Sequence, residues 1–218
     1  MKKSDTTPSS GTRPEPPPQP TGKELAVLTA AREVFLTHGF SAATTDMIQR
    51  AAGVSKATVY AYYPTKQALF TAVIEGKCAE HMKALRALRS VPGGIHAVLS
   101  ELASAYLEFA LAPEGLALFR VSAAEAPRFP ELARTFYENG PEAYCGIVAE
   151  HIERGVQNRE LDLGDASAHE AARLFFSLVR GQAQMEGVLL PDRRPSRAQK
   201  KRWADLAVGT FFAAFGKG

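Results

Sequence analysis

From Lys23 to Ala214 the apolar residues recur at spacings of three and four, and no segment of useful length alternates with a period of two. A chain patterned in this way buries its side chains as helices packed on helices. The expected fold class is therefore all-α, with about nine helices.

The pattern is punctuated where helices must start and stop. Leu25, Leu28, Ala31 and Phe35 line a first helix, expected to stop at Gly39 in the left-handed conformation with Phe40 folding back behind it. Thr44 and Thr45 can cap a second helix with Ile48, Ala51 and Ala52 on one face, and Gly53 breaks it. Ser55 can cap a short third helix with Val59 and Tyr63, which ends at Pro64. Thr65 caps a fourth, running to about Leu85 through Leu69, Phe70, Val73 and Ile74. After Pro92-Gly93-Gly94 a helix is expected from Ile95 to Leu111, and Pro113 opens another through Leu116 and Arg120. Pro127 and Pro130 bracket a break before Leu132 to about Arg154, with a kink expected at Gly140-Pro141. Ser167 to about Leu189 follows. Ser196 with Gln199 resembles a capping box ahead of a last helix.

Six of the 14 prolines fall in the first 20 residues, a stretch without Val, Ile, Leu, Phe, Tyr or Trp. Residues 1–21 are read as a disordered Pro-rich tail, with a ligand for a proline-binding domain as the alternative. The expected organisation is that tail, a helical unit at 22–81 and a larger helical unit at 82–218. The longest run free of Asp, Glu, Lys and Arg is 12 residues, Val34 to Thr45, too short to span a bilayer. No signal peptide follows Met1, so a cytoplasmic protein without a membrane partner is expected. Cys78 and Cys145 alone cannot fill a zinc site, and no metal or cofactor is expected. The two are read as buried apolar groups, with a redox thiol as the alternative. There is no Walker loop, G-x-S-x-G, H-E-x-x-H or C-x-x-C, so an enzyme is not expected.

Three short helices in the first folded stretch, the second and third separated by Ala52-Gly53-Val54-Ser55, have helix-turn-helix spacing. Ile48, Ala51 and Val59 are expected to pack the pair across the turn. The third helix is too short to stand alone, which suits an element held by packing and presented to a groove. Thr45, Ser55, Thr58, Tyr60 and Tyr62 offer hydroxyls to phosphate oxygens, with Thr44 at the helix start beside them. Lys56 stands at the end that meets base edges, and Lys66 is placed for a phosphate. The alternative reading makes these residues ordinary caps and surface groups; Tyr63, on the buried side of the short helix, is read as core. The stretch holds little net charge: residues 23 to 81 carry six Lys or Arg against five Asp or Glu. The densest basic run lies elsewhere, from Arg193 to Arg202, and is read as solvated or as a membrane or nucleic-acid patch.

Thr44-x3-Ile48-x2-Ala51-Ala52-Gly53-Val54-Ser55-x2-Thr58-Val59-Tyr60-x-Tyr62-Tyr63-x2-Lys66-x2-Leu69-Phe70 resembles the TetR-type helix-turn-helix, and Ala30-Ala31-x2-Val34-Phe35-x3-Gly39-Phe40 matches that family's first helix. The segment from Gly115 to Arg120 and the residues around Glu125-Ala126-Pro127-Arg128-Phe129-Pro130 resemble the AefR-type regulatory domain. The resemblance implies a homodimeric transcriptional regulator, usually a repressor, that leaves a near-palindromic double-stranded DNA operator when a small molecule binds its C-terminal helices. An activator or a ligand-independent DNA-binding protein of the same fold is the alternative. By position, Thr45, Lys56, Ala57, Thr58, Tyr60, Tyr62 and Lys66 inherit DNA contacts. Asp46 departs from members that present a base-reading Arg there; it would repel phosphate but could accept from a cytosine amine.

The same resemblance implies dimerisation through the last two helices, by Leu174, Leu178, Gly181, Trp203, Leu206, Ala207, Thr210, Phe211 and Ala214, the alternative being intramolecular core. It also implies an effector pocket among helices five to eight. Tyr106, Phe109, Phe119, Phe136, Tyr137, Tyr144, Phe175, Phe176 and Met185 are the candidate lining, with Arg120, His151 and Gln182 as polar contacts. Arg120 either pairs with Glu125 or another acid, or meets an anionic ligand; His151 is a ligand contact or a structural histidine. The fourth helix would carry the coupling.

Overall fold

Hydroxyl residues expected at helix starts are found there with their side chains on the backbone. Thr44 accepts from the Met47 N–H, Ser55 from Thr58, Thr65 from Ala68 and Ser196 from Gln199. At Ser167 the Glu170 carboxylate also reaches back to the Ser167 N–H, completing a reciprocal capping box. The computed structural model describes residues 22–88 and 92–217, so the expected tail at 1–21 lies outside the described residues.

The helices are α1 (Gly22–Ala42), α2 (Thr45–Ala52), α3 (Lys56–Tyr62), α4 (Lys66–Ala87), α5 (Gly94–Ala110), α6 (Pro113–Glu125), α7 (Pro130–Tyr137), α8 (Ala143–Gln157), α9 (Ala168–Leu189) and α10 (Arg197–Phe215). A π-helical turn, Glu138–Glu142, joins α7 to α8, so the described residues form nine rods. The turn carries Pro141, whose missing N–H is absorbed by the widened register instead of breaking the rod. Pro113 and Pro130 sit in the first turns of α6 and α7, where a missing N–H costs nothing. The described residues hold no strand, only an isolated bridge between Leu161 and Gly216.

Gly39 departs from the expected left-handed stop. At φ 76° and ψ 166° it kinks α1, and helical structure resumes to Ala42. Phe40 does fold back: it is buried and its ring stacks on Phe35 with centroids 5.8 Å apart.

Two apolar clusters hold the fold. The first gathers Val27, Phe35, Phe40, Ile48, Val59, Leu69, Phe70 and Ile74 from α1 to α4, and it also takes in Leu118 from α6 and Leu132 from α7. The second gathers Met82 and Leu85 of α4 with Leu99, Leu102, Tyr144, Phe175 and Phe211. The expected division at residue 81 is thus not a packing boundary: α4 enters both clusters, and α6 and α7 roof the first. Each fully buried Leu, Ile or Phe contributes roughly 1.5–3 kcal/mol relative to exposure.

The α10 stripe splits between two sides. Ala207 and Phe211 are buried within the chain, so their expected role as dimer contacts is corrected to intramolecular core, and Trp203 is partly buried against the second cluster. Leu206, Thr210 and Ala214 face outward, as do Leu174, Leu178 and Gly181 of α9. A stripe at i, i+3, i+4, i+7 spans enough of a helix circumference to serve both sides at once.

Candidate nucleic-acid interface and effector cavity

The α2–α3 turn is built from its glycine. Gly53 takes φ 65°, ψ 30°, the left-handed conformation, and the Gly53 and Val54 N–H groups donate to the Arg50 and Gln49 carbonyls at 3.3 and 3.1 Å. Ser55 then starts α3, its Oγ 3.1 Å from the Thr58 N–H and 2.8 Å from Thr58 Oγ1. Ile48 and Val59 are fully buried and lock the two helices together. Ala51, expected in that contact, is exposed, because the turn rotates its face of α2 away from α3.

With Val59 as its only buried residue, α3 leaves Lys56, Ala57, Tyr60 and Ala61 exposed and Thr58 and Tyr62 partly so. Two contacts tie this face to the start of α2. Thr45 Oγ1 lies 3.2 Å from the Tyr60 hydroxyl, and the Lys56 ammonium lies 2.9 Å from Asp46 Oδ1. The hydrogen bond to Asp46 raises the Lys56 pKa, so the charge is firmly held. Asp46 is therefore a fixed neighbour of the expected base reader. The sequence reading missed this pair, which depends on how the turn sets α3 against the start of α2. Arg50, whose Nε donates to the Asp46 carbonyl at 3.0 Å, is a further exposed cation on the same helix.

Lys66 is partly buried and turned toward the end of α1. Its Nζ donates to the carbonyls of Phe40 at 2.9 Å, Ser41 at 3.3 Å and Ala43 at 3.0 Å, and lies 4.6 Å from the centre of the Phe40 ring. In this structure the ammonium closes the carbonyl end of α1, where a cation also meets the helix dipole. Tyr63 packs against the first cluster, and its hydroxyl donates to Glu24 Oε1 at 2.9 Å.

Below this head a cavity lies between α4, α5, α6, the π turn and α9. Tyr106, Phe109, Phe119 and Phe136 line it as expected, and so do Cys78, His81, Met82, Leu118 and Gln184, which sequence reasoning left out. Ile74, Cys78, His81, Met82 and Leu85 form an i, i+4, i+7, i+8, i+11 stripe on α4 that would have found the first three. The cavity measures about 30 Å³. His81 and Phe109, both in its lining, stack directly on each other with centroids 3.9 Å apart and planes 8° from parallel. Burial lowers the His81 pKa to about 4 and Lys77 adds to the effect, so the ring is neutral at physiological pH. Burial pushes the Cys78 and Cys145 thiols up to about 11. Neither is poised as a thiolate.

The other candidate lining residues lie elsewhere. Tyr144, Phe175, Phe176 and His151 are buried in the helical core. Tyr137, Gln182 and Met185 are exposed, pointing off α7 and α9. Arg120 neither pairs with Glu125 nor enters the cavity; it donates to the Gly187 carbonyl at 2.7 Å and the Val188 carbonyl at 3.1 Å, near the end of α9. Glu125 instead accepts from the Ser41 N–H at 2.9 Å and the Ser41 hydroxyl at 2.8 Å, joining α6 to the head.

A short helix clamped on one residue, turned by a left-handed glycine and carrying lysine and tyrosine outward, defines a helix-turn-helix regulator of transcription. The comparisons agree over the whole fold. Residues 27–73 match the bacterial regulatory proteins of the tetR family, and residues 97–217 match the C-terminal domain of AefR-like transcriptional repressors. The chain belongs to the TetR family, in its AefR-like branch. It is 28% identical to the HTH-type transcriptional regulator UidR of Escherichia coli strain K12 over 170 residues, covering 75% of this chain and 80% of that one. The Flavonoid-responsive Regulator FrrA is 36% identical with a TM-score of 0.72, covering 89% of this chain and 97% of its own. A TetR-family structure from Mesorhizobium loti is 26% identical with a TM-score of 0.81, at the same coverage of 89% and 97%. These relatives are regulators of transcription and not enzymes. Among the described residues no single helix is long and apolar enough to cross a membrane.

Proposed function

We propose that the protein is a ligand-responsive repressor that works in the cytoplasm as a homodimer and leaves a near-palindromic operator when a small molecule enters the cavity. The observation that carries this reading is the double membership of α4. Its first half, Leu69 to Cys78, packs in the head, and the turns carrying Cys78, His81 and Met82 form one wall of the cavity. A molecule that widens the cavity must move α4, and the head moves with it. The ligand acts only by preferring the widened conformer; equal affinity for both would leave operator binding unchanged. The name of FrrA supports a small-molecule response in this chain.

The outward faces of α9 and α10 support the dimer. Leu174, Leu178 and Leu206 are 48%, 37% and 49% exposed, and Gly181, Gly209 and Thr210 between them allow close helix approach. Pairing these faces about a two-fold axis buries them in a four-helix bundle and sets the two α3 helices about 34–36 Å apart, or a multiple of that, as successive major grooves require. On the DNA, Thr45, Lys56, Tyr60 and Tyr62 make the contacts, with Thr44, Ser55, Ala57 and Thr58 at the helix starts.

A genome-wide footprint of the full chain tests the DNA reading: discrete sites with two-fold symmetry are expected, and uniform occupancy would refute it. Sedimentation of the Leu178→Glu, Leu206→Glu variant tests the dimer. A monomer that no longer protects the operator is expected; a dimer of unchanged mass would refute the interface.

A further inference from the structure

We propose that the cavity and a groove beside it together take a singly charged carboxylate with an apolar body: the carboxylate pairs with Arg180, and the body passes between Phe119 and Gln184 into the cavity. This names the chemical class of the effector and rests on the reading of the chain as an effector-responsive regulator.

Space is the first argument. The cavity of about 30 Å³ has room for about one water, whereas small-molecule sites run to hundreds of Å³. On the surface between α6 and α9 lies a groove of about 420 Å³, walled by Phe119, Ser177, Arg180, Gln184, Met185 and Val188. Phe119 and Gln184 line the groove and the cavity alike, so they form the wall between the two. That wall is lightly held. Phe119 is only partly buried and meets Phe136 edge to face with centroids 6.1 Å apart. The Tyr106 hydroxyl donates to Gln184 Oε1 at 3.5 Å, the limit of a hydrogen bond. Turning these two side chains joins groove and cavity into one site of the size such ligands fill.

Charge is the second. Among the described residues Arg180 is the one charged side chain lining the groove, and the cavity adds none: burial keeps the His81 ring neutral and the Cys78 thiol protonated at physiological pH. Arg180 is partly buried, yet among the described residues it makes neither an ion pair nor a side-chain hydrogen bond. Its guanidinium lies over Phe176, 5.2 Å from the ring centre. Nearby acids are engaged elsewhere: Glu142 holds Arg173 and His169, and Glu186 accepts from Gln182 Nε2 at 2.7 Å. The charge of Arg180 is felt in the cavity lining, where burial pushes the Tyr106 phenol up and Arg180 pulls against it. An arginine drawn out of water is ordinarily paired, and its planar fork of donors fits a carboxylate. One cation balances one anion. A phosphate monoester would bring a second charge with nothing to meet it, and an amine would face Arg180 as a like charge.

The lining beyond the wall sets the rest of the molecule. Met82, Phe109, Leu118 and Phe136 stand there, so the body that enters is apolar. Met82 is unbranched and yields by rotation. Entry presses on His81 and Met82 of α4, the helix that carries the head. Gly181, on the outer edge of the groove, belongs to the α9 face proposed for pairing, so a partner subunit would wall the groove on that side.

The test is calorimetric titration of the full chain, with operator release measured alongside, using 2-naphthoate and decanoate, the amide of each, 2-naphthylmethylammonium and acetate. At least one of the two larger acids should bind, about tenfold to a hundredfold more tightly than its own amide, the worth of one hydrogen bond to a charged group. The ammonium and acetate should not bind measurably. In Arg180→Gln the acid should fall to the level of its amide, while the amide is unchanged. Arg180→Lys should recover part, as a charge without the planar fork. Thermal melts matching the wild type will establish that both variants fold. Failure of both larger acids to bind, equal affinity for acid and amide, acetate binding as tightly as the larger acids, or an acid affinity untouched by Arg180→Gln overturns the proposal; the first three need no variant. If an amide or the ammonium binds and releases the operator while the acids do not, this inference falls and the effector reading stands. An acid that binds through Arg180 and leaves the operator occupied upholds the site and refutes the effector reading.

Discussion

Replacing Lys66 by Met keeps the apolar stem and removes the ammonium that closes α1. A hydrogen bond to a charged donor contributes ~1.5–3 kcal/mol, and the cation over the Phe40 ring adds ~0.5–1 kcal/mol. The three bonds do not add in full. The Ser41 carbonyl is exposed and takes water instead, whereas the bonds to Phe40 and Ala43 are part-buried and hard to replace. The expected loss is ~3 kcal/mol, near the top of the range for one such bond. For an m-value of ~2 kcal/mol/M the urea midpoint should fall by roughly 1–2 M. Wild type and variant must be compared at one protein concentration, because association contributes to stability. Lys66→Arg should recover only part, since a planar guanidinium cannot point at three carbonyls as an ammonium does. The same variant separates a structural from a phosphate role. If Lys66 holds α1, the salt slope of operator binding by the folded variant is unchanged. A slope reduced by about one with an unshifted midpoint would show that the lysine binds phosphate and that the reasoning is wrong.

Three further outcomes are expected. Asp46→Asn should release Lys56, raise affinity for random DNA and steepen the salt slope by about one; competition binding at two salt concentrations checks this, and an unchanged slope refutes it. The unfolded chain protonates His81 below 6.5, while the folded chain resists until about 4. Stability should therefore decline as pH falls through that window, by roughly 3 kcal/mol at its lower end. Urea midpoints at neutral and mildly acidic pH should show a shallower decline for His81→Phe, and an identical decline would refute the assignment. Glu125→Ala should cost ~1 kcal/mol and speed hydrogen exchange at the Ser41 amide; unchanged exchange would mean that α6 is not clamped to the head.

The local grammar of this chain is legible because it is local. Thr44, Ser55, Thr65 and Ser196 act within three residues of themselves, and Gly53 acts on its own backbone. What could not be read depends on distant parts of the chain. Lys66 reaches carbonyls some 25 residues upstream, which no spacing rule anticipates. Arg120 ends on α9 instead of on Glu125 because the crossing of α6 and α9 brings the carbonyls of Gly187 and Val188 closer. Aromatic character alone did not distinguish cavity from core: Phe109 and Phe119 face the cavity, whereas Phe175 packs on Phe211 with ring centroids 5.4 Å apart. His81 escaped notice because it sits on an apolar stripe and is buried like the apolar residues beside it.

The sharing of α4 between two clusters bears on how the molecule folds and how it can be cut. A fragment ending near residue 81 would keep the helix-turn-helix but lose Leu118 and Leu132 from the first cluster and Phe129, whose ring lies 4.8 Å from that of Phe40. Such a piece should be sticky and marginal, and DNA-binding studies are better served by the intact chain. The same geometry makes unfolding of the head and loosening of the larger unit one event: amides in the middle of α4 should be among the slowest to exchange, because releasing them requires opening both clusters at once.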